Sequence, residues 1–261
     1  MSNPRLTKNN YYDPEMNRRY MSASFVKSML RCEAATIAEM TGEWIQPPSE
    51  ALLVGSYVDS CFEGPKSFTQ FHFDHPEIFK RDGSLKAPFE RANDMIERAR
   101  RDPVFMEYMR GQKQKIVTGE IDGIPFKCKF DVYRKGERIV DLKTTRNMEP
   151  LYREGEGRLS PIQYWGWDLQ MAIYAELEGN DLPTYLAIVT KEDPPNLFLV
   201  EITRAERDAC MEYIHAKLPR LDAIRKGLIE PERCEHCAYC RATKKIVRPL
   251  TIEELDNGIY E

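Results

Sequence analysis

The stretch GEIDGIPFKCKFDVYRKGERIVDLKTT, residues 119–145, contains two runs of β-strand character joined by a tight turn at residues 134–136. In the first run, four apolar residues alternate with four polar ones: Phe126, Cys128, Phe130 and Val132 against Lys127, Lys129, Asp131 and Tyr133. Such period-2 alternation predicts a strand that is buried on one face. In the second run, Asp141 and Lys143 share one face. Pairing of the two strands as a hairpin would gather two carboxylates and one ammonium on one side of a sheet.

Two carboxylates and a lysine in this arrangement have a definite chemistry. Asp131 and Asp141 would suit a hard cation that prefers oxygen ligands, such as Mg²⁺ or Mn²⁺. Lys143 beside them could orient or deprotonate a water, and this set is what metal-assisted phosphodiester hydrolysis requires. The alternative is that these are solvated edge charges, which are common on proteins. Both acids follow apolar residues inside strands, and the second strand is rich in β-branched residues, which favours a central strand and a functional site.

A second pair of polar residues follows on a predicted helix. Ser160 and Pro161 form a typical helix start, and Gly179 is a plausible stop. Gln170 and Tyr174 are four residues apart and therefore project from one helical face. An amide and a phenol placed there could orient a water and contact a phosphate. The alternative is a half-buried helix whose polar side chains are satisfied locally.

In order and spacing, these motifs resemble the PD-(D/E)XK nuclease superfamily, and more narrowly its RecB-like and RecE-like exonuclease branch. The resemblance includes the segment Gly55-Ser-Tyr-Val-Asp59 on an upstream helix, where many relatives carry histidine at the position of Asp59. It also includes the strand–turn–strand segment 186–202. In all, it spans residues 22–241, which is most of the chain.

The resemblance implies a divalent-metal-dependent DNA exonuclease, encoded by a phage or prophage and serving recombination or DNA processing. Asp131 and Asp141 would then hold Mg²⁺ or Mn²⁺, with Asp59 as a third ligand. The implied partners are linear DNA with ends and a phage single-strand annealing protein, and a homo-oligomer is also compatible with this branch. Two alternatives stay open: a metal-dependent endonuclease, and a non-catalytic DNA-binding or assembly module of the same fold. The retained acids and lysine favour the enzyme.

The resemblance also implies roles for the remaining polar residues. Lys143 would position the attacking water and stabilise the negative charge that develops on the phosphate. Gln170 would orient the water or a ligand carboxylate. Tyr174 would contact the backbone phosphate or brace its helix.

Three cysteines cluster near the C-terminus. Cys234, Cys237 and Cys240 form a C-x-x-C-x-x-C run that can point several thiolates at one centre. Cys32 is the best candidate for a fourth ligand, because several RecB-like nucleases hold a four-iron 4Fe-4S cluster with one upstream cysteine and three near the C-terminus. The alternatives are a Zn²⁺ site, in which His236 could be the fourth ligand, and unligated thiols. The other cysteines lie singly in apolar segments and are predicted to be core residues: Cys61, Cys128 and Cys210.

Composition favours a cytoplasmic enzyme. The first twenty residues are polar and charged, unlike a signal peptide, and no apolar run is long enough to span a bilayer. The 261 residues carry a net charge of −4, which argues against a broadly basic DNA-binding surface but allows local basic strips. Four lysines flank the proposed site: Lys113, Lys115, Lys127 and Lys129.

The pattern of elements predicts an α/β fold, a restriction-endonuclease-like core with a mixed β-sheet flanked by helices and a helical N-terminal part. One elaborated domain over residues 1–261 is expected, with a helical N-terminal part (22–111), a catalytic core (112–203), and a C-terminal helix with the cysteine cluster (204–261). Continuous helices are predicted at 22–40, 50–63, 160–179 and 204–226. A long helix with an interruption near Pro103 is predicted at 88–110. Loops or arms are predicted at 1–20, 65–86 and 146–160.

Overall fold

A computed structural model describes residues 6–46, 49–153 and 155–256 of the chain. The α-helices are α1 (Pro14–Arg19), α2 (Ala23–Arg31), α3 (Glu33–Thr41), α4 (Glu50–Glu63), α5 (Pro65–Asp74), α6 (Ala87–Arg100), α7 (Pro103–Tyr108), α8 (Pro161–Trp165), α9 (Trp167–Glu178), α10 (Arg204–Arg225), α11 (Ala238–Ala242) and α12 (Ile252–Asp256). The strands are β1 (Gln112–Ile121), β2 (Ile124–Arg134), β3 (Arg138–Thr145), β4 (Leu151–Arg153), β5 (Gly157–Leu159), β6 (Thr184–Thr190) and β7 (Leu197–Ile202).

Five strands form one mixed sheet in the order β1-β2-β3-β6-β7. The pair β3 and β6 is parallel and its connection contains α8 and α9, whereas the other neighbours are antiparallel. Helices α2, α9 and α10 pack on one face, named here the α9 face, and α4, α6 and α7 pack on the other, the α4 face. Each face buries its own apolar cluster. This arrangement confirms the predicted restriction-endonuclease-like α/β fold.

The β1–β2 hairpin turns at Asp122 and Gly123, which both have positive φ angles, 53° and 73°. This is the turn that an Asp-Gly pair favours, because its twist matches that of the flanking strands. The pairing of β2 with β3 is much shorter, and it ends where Val132 lies opposite Val140. The two strands therefore separate just at Asp131.

The alternation predicted for β2 is wrong at Val132, beyond the point where the two strands separate. Phe126, Cys128 and Phe130 pack on the α9 face as expected, but Val132 packs on the α4 face. At the point of change, the backbone N–H of Leu142 donates a 2.9 Å hydrogen bond to Oδ2 of Asp131. The Asp131 side chain thus accepts a hydrogen bond that a backbone carbonyl would accept in a regular strand pair, and its carboxylate lies between β2 and β3.

Two predicted continuous helices are each broken in the structure. The helix expected over 22–40 divides into α2 and α3 at Cys32, whose extended backbone ends one helix while its Sγ accepts a 3.4 Å hydrogen bond from the N–H of Ala35 and caps the next. The helix expected over 160–179 divides into α8 and α9 at Gly166, where φ is +62°. The interruption predicted near Pro103 separates α6 from α7, with Asp102 as the cap.

Three segments predicted as loops or arms contain regular structure. Residues 65–74 form α5, and residues 151–159 carry the antiparallel pair β4 and β5. The N-terminal segment contains α1 and buries Tyr11 and Met16. The N-terminal segment is held by contacts with distant parts of the chain, such as the hydrogen bond from Lys127 to the Tyr11 carbonyl, which local patterns do not reveal. Residues 1–5 of the predicted arm and 257–261 of the predicted C-terminal part lie outside the described residues.

The helices predicted at 50–63 and 204–226 are confirmed as α4 and α10. Within the described ranges, no helix combines the length and the apolar character that crossing a membrane requires.

Candidate active site

The side chains singled out in the sequence converge on one cavity of about 660 Å³. They come from both faces of the sheet and from the gap between β2 and β3: Asp59, Asp131, Asp141, Lys143, Gln170 and Tyr174. The gap therefore creates the cavity, because it exposes polar side chains in the middle of a sheet whose faces are otherwise covered.

Helix α4 reaches the cavity by a close approach to β3. A Cβ atom at Gly55 would lie 3.3 Å from the Thr144 Oγ1, so the absence of a side chain allows the helix to pack this closely. Asp59 is one turn further along and therefore lies on the same helical face as Gly55. The spacing of Gly55 and Asp59 thus has a structural reason: the glycine sets the distance at which the carboxylate enters the site.

Asp141, Gln170 and Tyr174 form one hydrogen-bond network. The Gln170 Nε2 donates to Oδ1 of Asp141 over 2.8 Å and to the Tyr174 hydroxyl oxygen over 3.0 Å. The Tyr174 hydroxyl in turn donates to the backbone carbonyl of Lys129 over 3.2 Å. Asp141 is only 2% exposed and Gln170 only 7%, so these hydrogen bonds are shielded from bulk water. The predicted pairing of Gln170 with Tyr174 on one helical face is present.

The charges of the site strongly affect one another. Burial, followed by the nearby charge of Asp141, raises the pKa of Asp131 to about 7. Burial and the charge of Asp131 raise the pKa of Asp59 well above its usual value. Burial alone would lower the pKa of Lys143, but the charges of Asp141 and Asp131 outweigh it and raise that pKa. Lys143 forms an ion pair with Oδ2 of Asp141, so it is a stable ammonium in this setting.

Lys27 on α2 is a member of the site that the sequence pattern did not reveal. Its Nζ donates a 2.7 Å hydrogen bond to Oε1 of Gln170. Burial, reinforced by the charge of Lys143, lowers the pKa of Lys27 to about 7. In the sequence, Lys27 resembles an ordinary solvated lysine of an amphipathic helix. The one available signal is that it interrupts the apolar residues of the segment Phe25–Leu30.

The oxygen-rich donor set fits a hard divalent cation such as Mg²⁺ or Mn²⁺. Carboxylates whose pKa values are raised by burial and by each other gain from a positive charge placed between them. The three carboxylates of Asp59, Asp131 and Asp141 share the cavity and interact electrostatically. However, in the described part of the chain the tightest group of potential metal ligands is formed by the four cysteines and not by these carboxylates.

Cys32, Cys234, Cys237 and Cys240 come together as the sequence predicts, and their Sγ atoms all lie within 4.8 Å of one another. The Sγ separations are 3.6 Å from Cys32 to Cys240 and 4.0 Å from Cys234 to Cys240. Zinc–sulfur bonds of about 2.3 Å give a tetrahedral edge of about 3.8 Å, so these separations fit a single tetrahedral ion. The structure therefore selects Cys32 and not His236 as the fourth member of the group.

The chain just before the three C-terminal cysteines is also held by an ion pair and a hydrogen bond that need no metal. Arg220 makes a bidentate pair with Glu33, with both N···O distances 2.8 Å. The same Glu33 carboxylate accepts a 2.7 Å hydrogen bond from the N–H of Glu232. These contacts join α3 to the chain that follows α10. The three remaining cysteines lie apart from the group, as predicted, with Cys61 and Cys128 buried and Cys210 half-buried.

Comparisons with known proteins agree with this fold. A family model, described as a PDDEXK-like domain of unknown function (DUF3799), matches residues 22–243. The crystal structure of a putative exonuclease from Eubacterium rectale is similar, with a TM-score of 0.92 and 39% sequence identity over 98% of this chain and 100% of that chain. None of the curated proteins matches the chain. The family match over most of the chain, together with the shared architecture, shows that the protein belongs to this PDDEXK-like family and to the PD-(D/E)XK nuclease superfamily.

Proposed function

We propose that the protein is a divalent-metal-dependent DNA exonuclease that hydrolyses phosphodiester bonds. The observation that carries the proposal is the position of the Asp131 carboxylate in the gap between β2 and β3, in one cavity with Asp141 and Lys143. Family membership supports nuclease chemistry, and the similar protein from Eubacterium rectale supports the exonuclease type. A role in phage or prophage DNA processing, in the cytoplasm, is the setting that we propose for it.

Asp131 and Asp141 would hold the cation, with Asp59 as a third ligand from α4. When bound, Mg²⁺ or Mn²⁺ supplies a polarised phosphate and a water that loses its proton more readily. The hydrogen bonds from Leu142 and Gln114 to Asp131 fix that carboxylate from two sides. Such preorganisation keeps a site ready for a ligand without rearrangement.

Lys143 would act as a charge and not as a base. Its raised pKa keeps the amine protonated near neutral pH, so it cannot accept a proton from the attacking water. A fixed ammonium can instead orient that water and stabilise the negative charge that develops on the phosphate. Gln170 would hold Asp141 in position, and Tyr174 would brace α9 against β2 through the Lys129 carbonyl.

The test is digestion of end-labelled linear DNA and of covalently closed circular DNA, each with Mg²⁺, Mn²⁺ or EDTA. The proposal predicts that linear DNA is shortened from its ends with either cation, that EDTA stops the reaction and that closed circles survive. Rapid linearisation of circles would favour the endonuclease alternative. Binding of DNA without cleavage under any condition would favour the non-catalytic module.

For the four cysteines, we propose a structural metal centre that links the α2–α3 junction to the C-terminal segment. The Sγ separations favour one tetrahedral ion such as Zn²⁺. A 4Fe-4S cluster is the alternative, and it would need wider separations because each cysteine binds a different iron. Closing a loop of some two hundred residues restricts the unfolded chain, so the centre would contribute to stability and not to the chemistry.

A further inference from the structure

The N-terminal segment 6–21 lies outside the region that the family model matches, yet it forms one wall of the active-site cavity. Met21 is joined to β2 by two backbone hydrogen bonds of 2.8 Å, to Pro125 and Lys127. The Lys127 side chain is only 1% exposed, and its amine donates to the Tyr11 carbonyl and, over 2.7 Å, to Oδ1 of Asn17. A buried lysine with two acceptors therefore fastens this segment to the catalytic sheet.

The segment brings aromatic side chains to the cavity, namely Tyr11, Tyr12 and Tyr20. Tyr12 is 68% exposed, although its ring packs edge-on against Tyr11 with the centroids 5.0 Å apart. The Lys129 Nζ lies 4.6 Å from the centroid of the Tyr12 ring. The ring is thus held by two neighbours and still presents a large apolar surface at the cavity.

Lys129 connects this ring to the proposed reaction centre. It lies two residues before Asp131 on β2, and its carbonyl accepts the Tyr174 hydroxyl hydrogen bond. An exposed aromatic ring with an ammonium beside it has the composition of sites that bind single-stranded nucleic acids, where bases stack on rings and cations contact the backbone.

We propose that Tyr12 stacks on the base of an unpaired nucleotide next to the phosphate that is cleaved, with Lys129 contacting the adjoining phosphate. This inference rests on the proposed nuclease function and deepens it, because it makes a single-stranded end the substrate. In a duplex the internal bases are covered on both faces by their neighbours, whereas an unpaired base offers a free face to the ring. The cavity volume of about 660 Å³ is that of a small-molecule pocket, which suits one strand and not a duplex.

The test measures binding of a single-stranded oligonucleotide that carries a fluorescent base analogue, without added divalent cation, to the full-length protein. Tyr12→Ala should weaken binding by about fivefold to one-hundredfold, the loss expected for one stacked base. Tyr12→Phe keeps the ring and should bind like the wild type. The matched control is Tyr213→Ala, because Tyr213 is also exposed and has Lys217 over its ring but does not line the cavity.

A substrate-side experiment shows whether the ring contacts a base. In a set of oligonucleotides that each carry one abasic position near the end, one position should remove the difference between wild type and Tyr12→Ala. Equal binding by wild type and Tyr12→Ala would overturn the inference, and so would an equal loss on a blunt duplex and on a single strand. Since binding is measured without cleavage, these results do not depend on whether the protein is a nuclease, which the digestion of end-labelled DNA decides separately.

Discussion

The Nε2 of Gln170 donates a 2.8 Å hydrogen bond to Oδ1 of Asp141, and this bond fixes which way the amide faces. On the other side of the amide, the Lys27 Nζ donates to Oε1 over 2.7 Å. A reversed amide would place its oxygen against the Asp141 carboxylate and would lose the hydrogen bond that Oε1 accepts from Lys27. Lys27 therefore orients Gln170, and Gln170 orients the carboxylate that we propose as a metal ligand.

Replacing Lys27 with methionine should lower kcat by about tenfold to one-hundredfold. A hydrogen bond to a charged group contributes about 1.5–3 kcal/mol, and its loss lets the Gln170 amide rotate. The measurement is the rate of DNA cleavage at saturating substrate. Lys191→Met is the control, because Lys191 is a partly buried lysine that does not line the cavity. If both variants cleave at the same rate, Lys27 has no positioning role.

Protons should compete with the divalent cation. The pKa of Asp131 is raised to about 7 by burial and by the charge of Asp141, so this carboxyl is protonated below neutral pH. We expect the affinity for Mn²⁺ to fall as the pH is lowered from 8 to 6, with release of a proton on binding. Calorimetric titration in two buffers of different ionisation enthalpy measures both quantities. An affinity that is the same at both pH values, with no proton release, would contradict the assignment of Asp131.

The same carboxyl predicts how the stability of the metal-free protein depends on pH. A folded-state pKa of about 7 lies above the value of about 3.9 for an unfolded Asp, so the folded protein binds the proton more tightly. The contribution to stability is therefore complete below about pH 4 and is lost as the pH rises through 7. Thermal unfolding of cation-free protein across this range should show the loss, and Asp131→Asn should reduce it. An identical pH profile in the variant would exclude this carboxyl as its cause.

The cysteine centre should affect stability before it affects catalysis. Cys237→Ala should lower both the melting temperature and the metal content, while Cys210→Ala, at an isolated cysteine, should change neither metal content nor activity. The Glu33 carboxylate keeps the segment docked through its bonds to the Glu232 N–H and to Arg220, so cleavage should persist at temperatures at which the variant remains folded. Anaerobically purified protein should be colourless with one zinc per chain. Four irons with sulfide and a brown colour would establish the cluster alternative, and the absence of both metals would exclude the centre.

The sequence predicted those parts of the site that depend on local periodicity. The alternation in β2 and β3 placed Asp141 and Lys143 on one face, and the four-residue spacing placed Gln170 beside Tyr174. The structure agrees on both points, because Lys143 pairs with Asp141 and Gln170 donates to Tyr174. The fold class followed from the order of the elements, which is largely preserved.

The remaining features depend on contacts between distant residues. The separation of the strands at Asp131 arises from its bond to Leu142 on a neighbouring strand, and the alternation of apolar residues does not record it. Lys27 meets Gln170 across 143 positions of sequence, and Lys127 meets Tyr11 across 116. The residues around a lysine in the sequence give no indication of such distant partners, which is why residues 1–20 are predicted only as a loop or arm and Lys27 is not among the predicted site residues.

On the proposed function, Asp141 is part of a metal-dependent centre for phosphodiester hydrolysis. Its most direct test is single-turnover cleavage of end-labelled linear DNA with Mn²⁺ by wild-type protein and by Asp141→Ala, with Asp208→Ala as an exposed carboxylate control on α10. Wild type and Asp208→Ala should cleave at similar rates. Asp141→Ala should be slower by orders of magnitude while remaining folded, because it loses metal ligation. Cleavage by folded Asp141→Ala at the wild-type rate would show that this carboxylate is not a ligand of the catalytic cation.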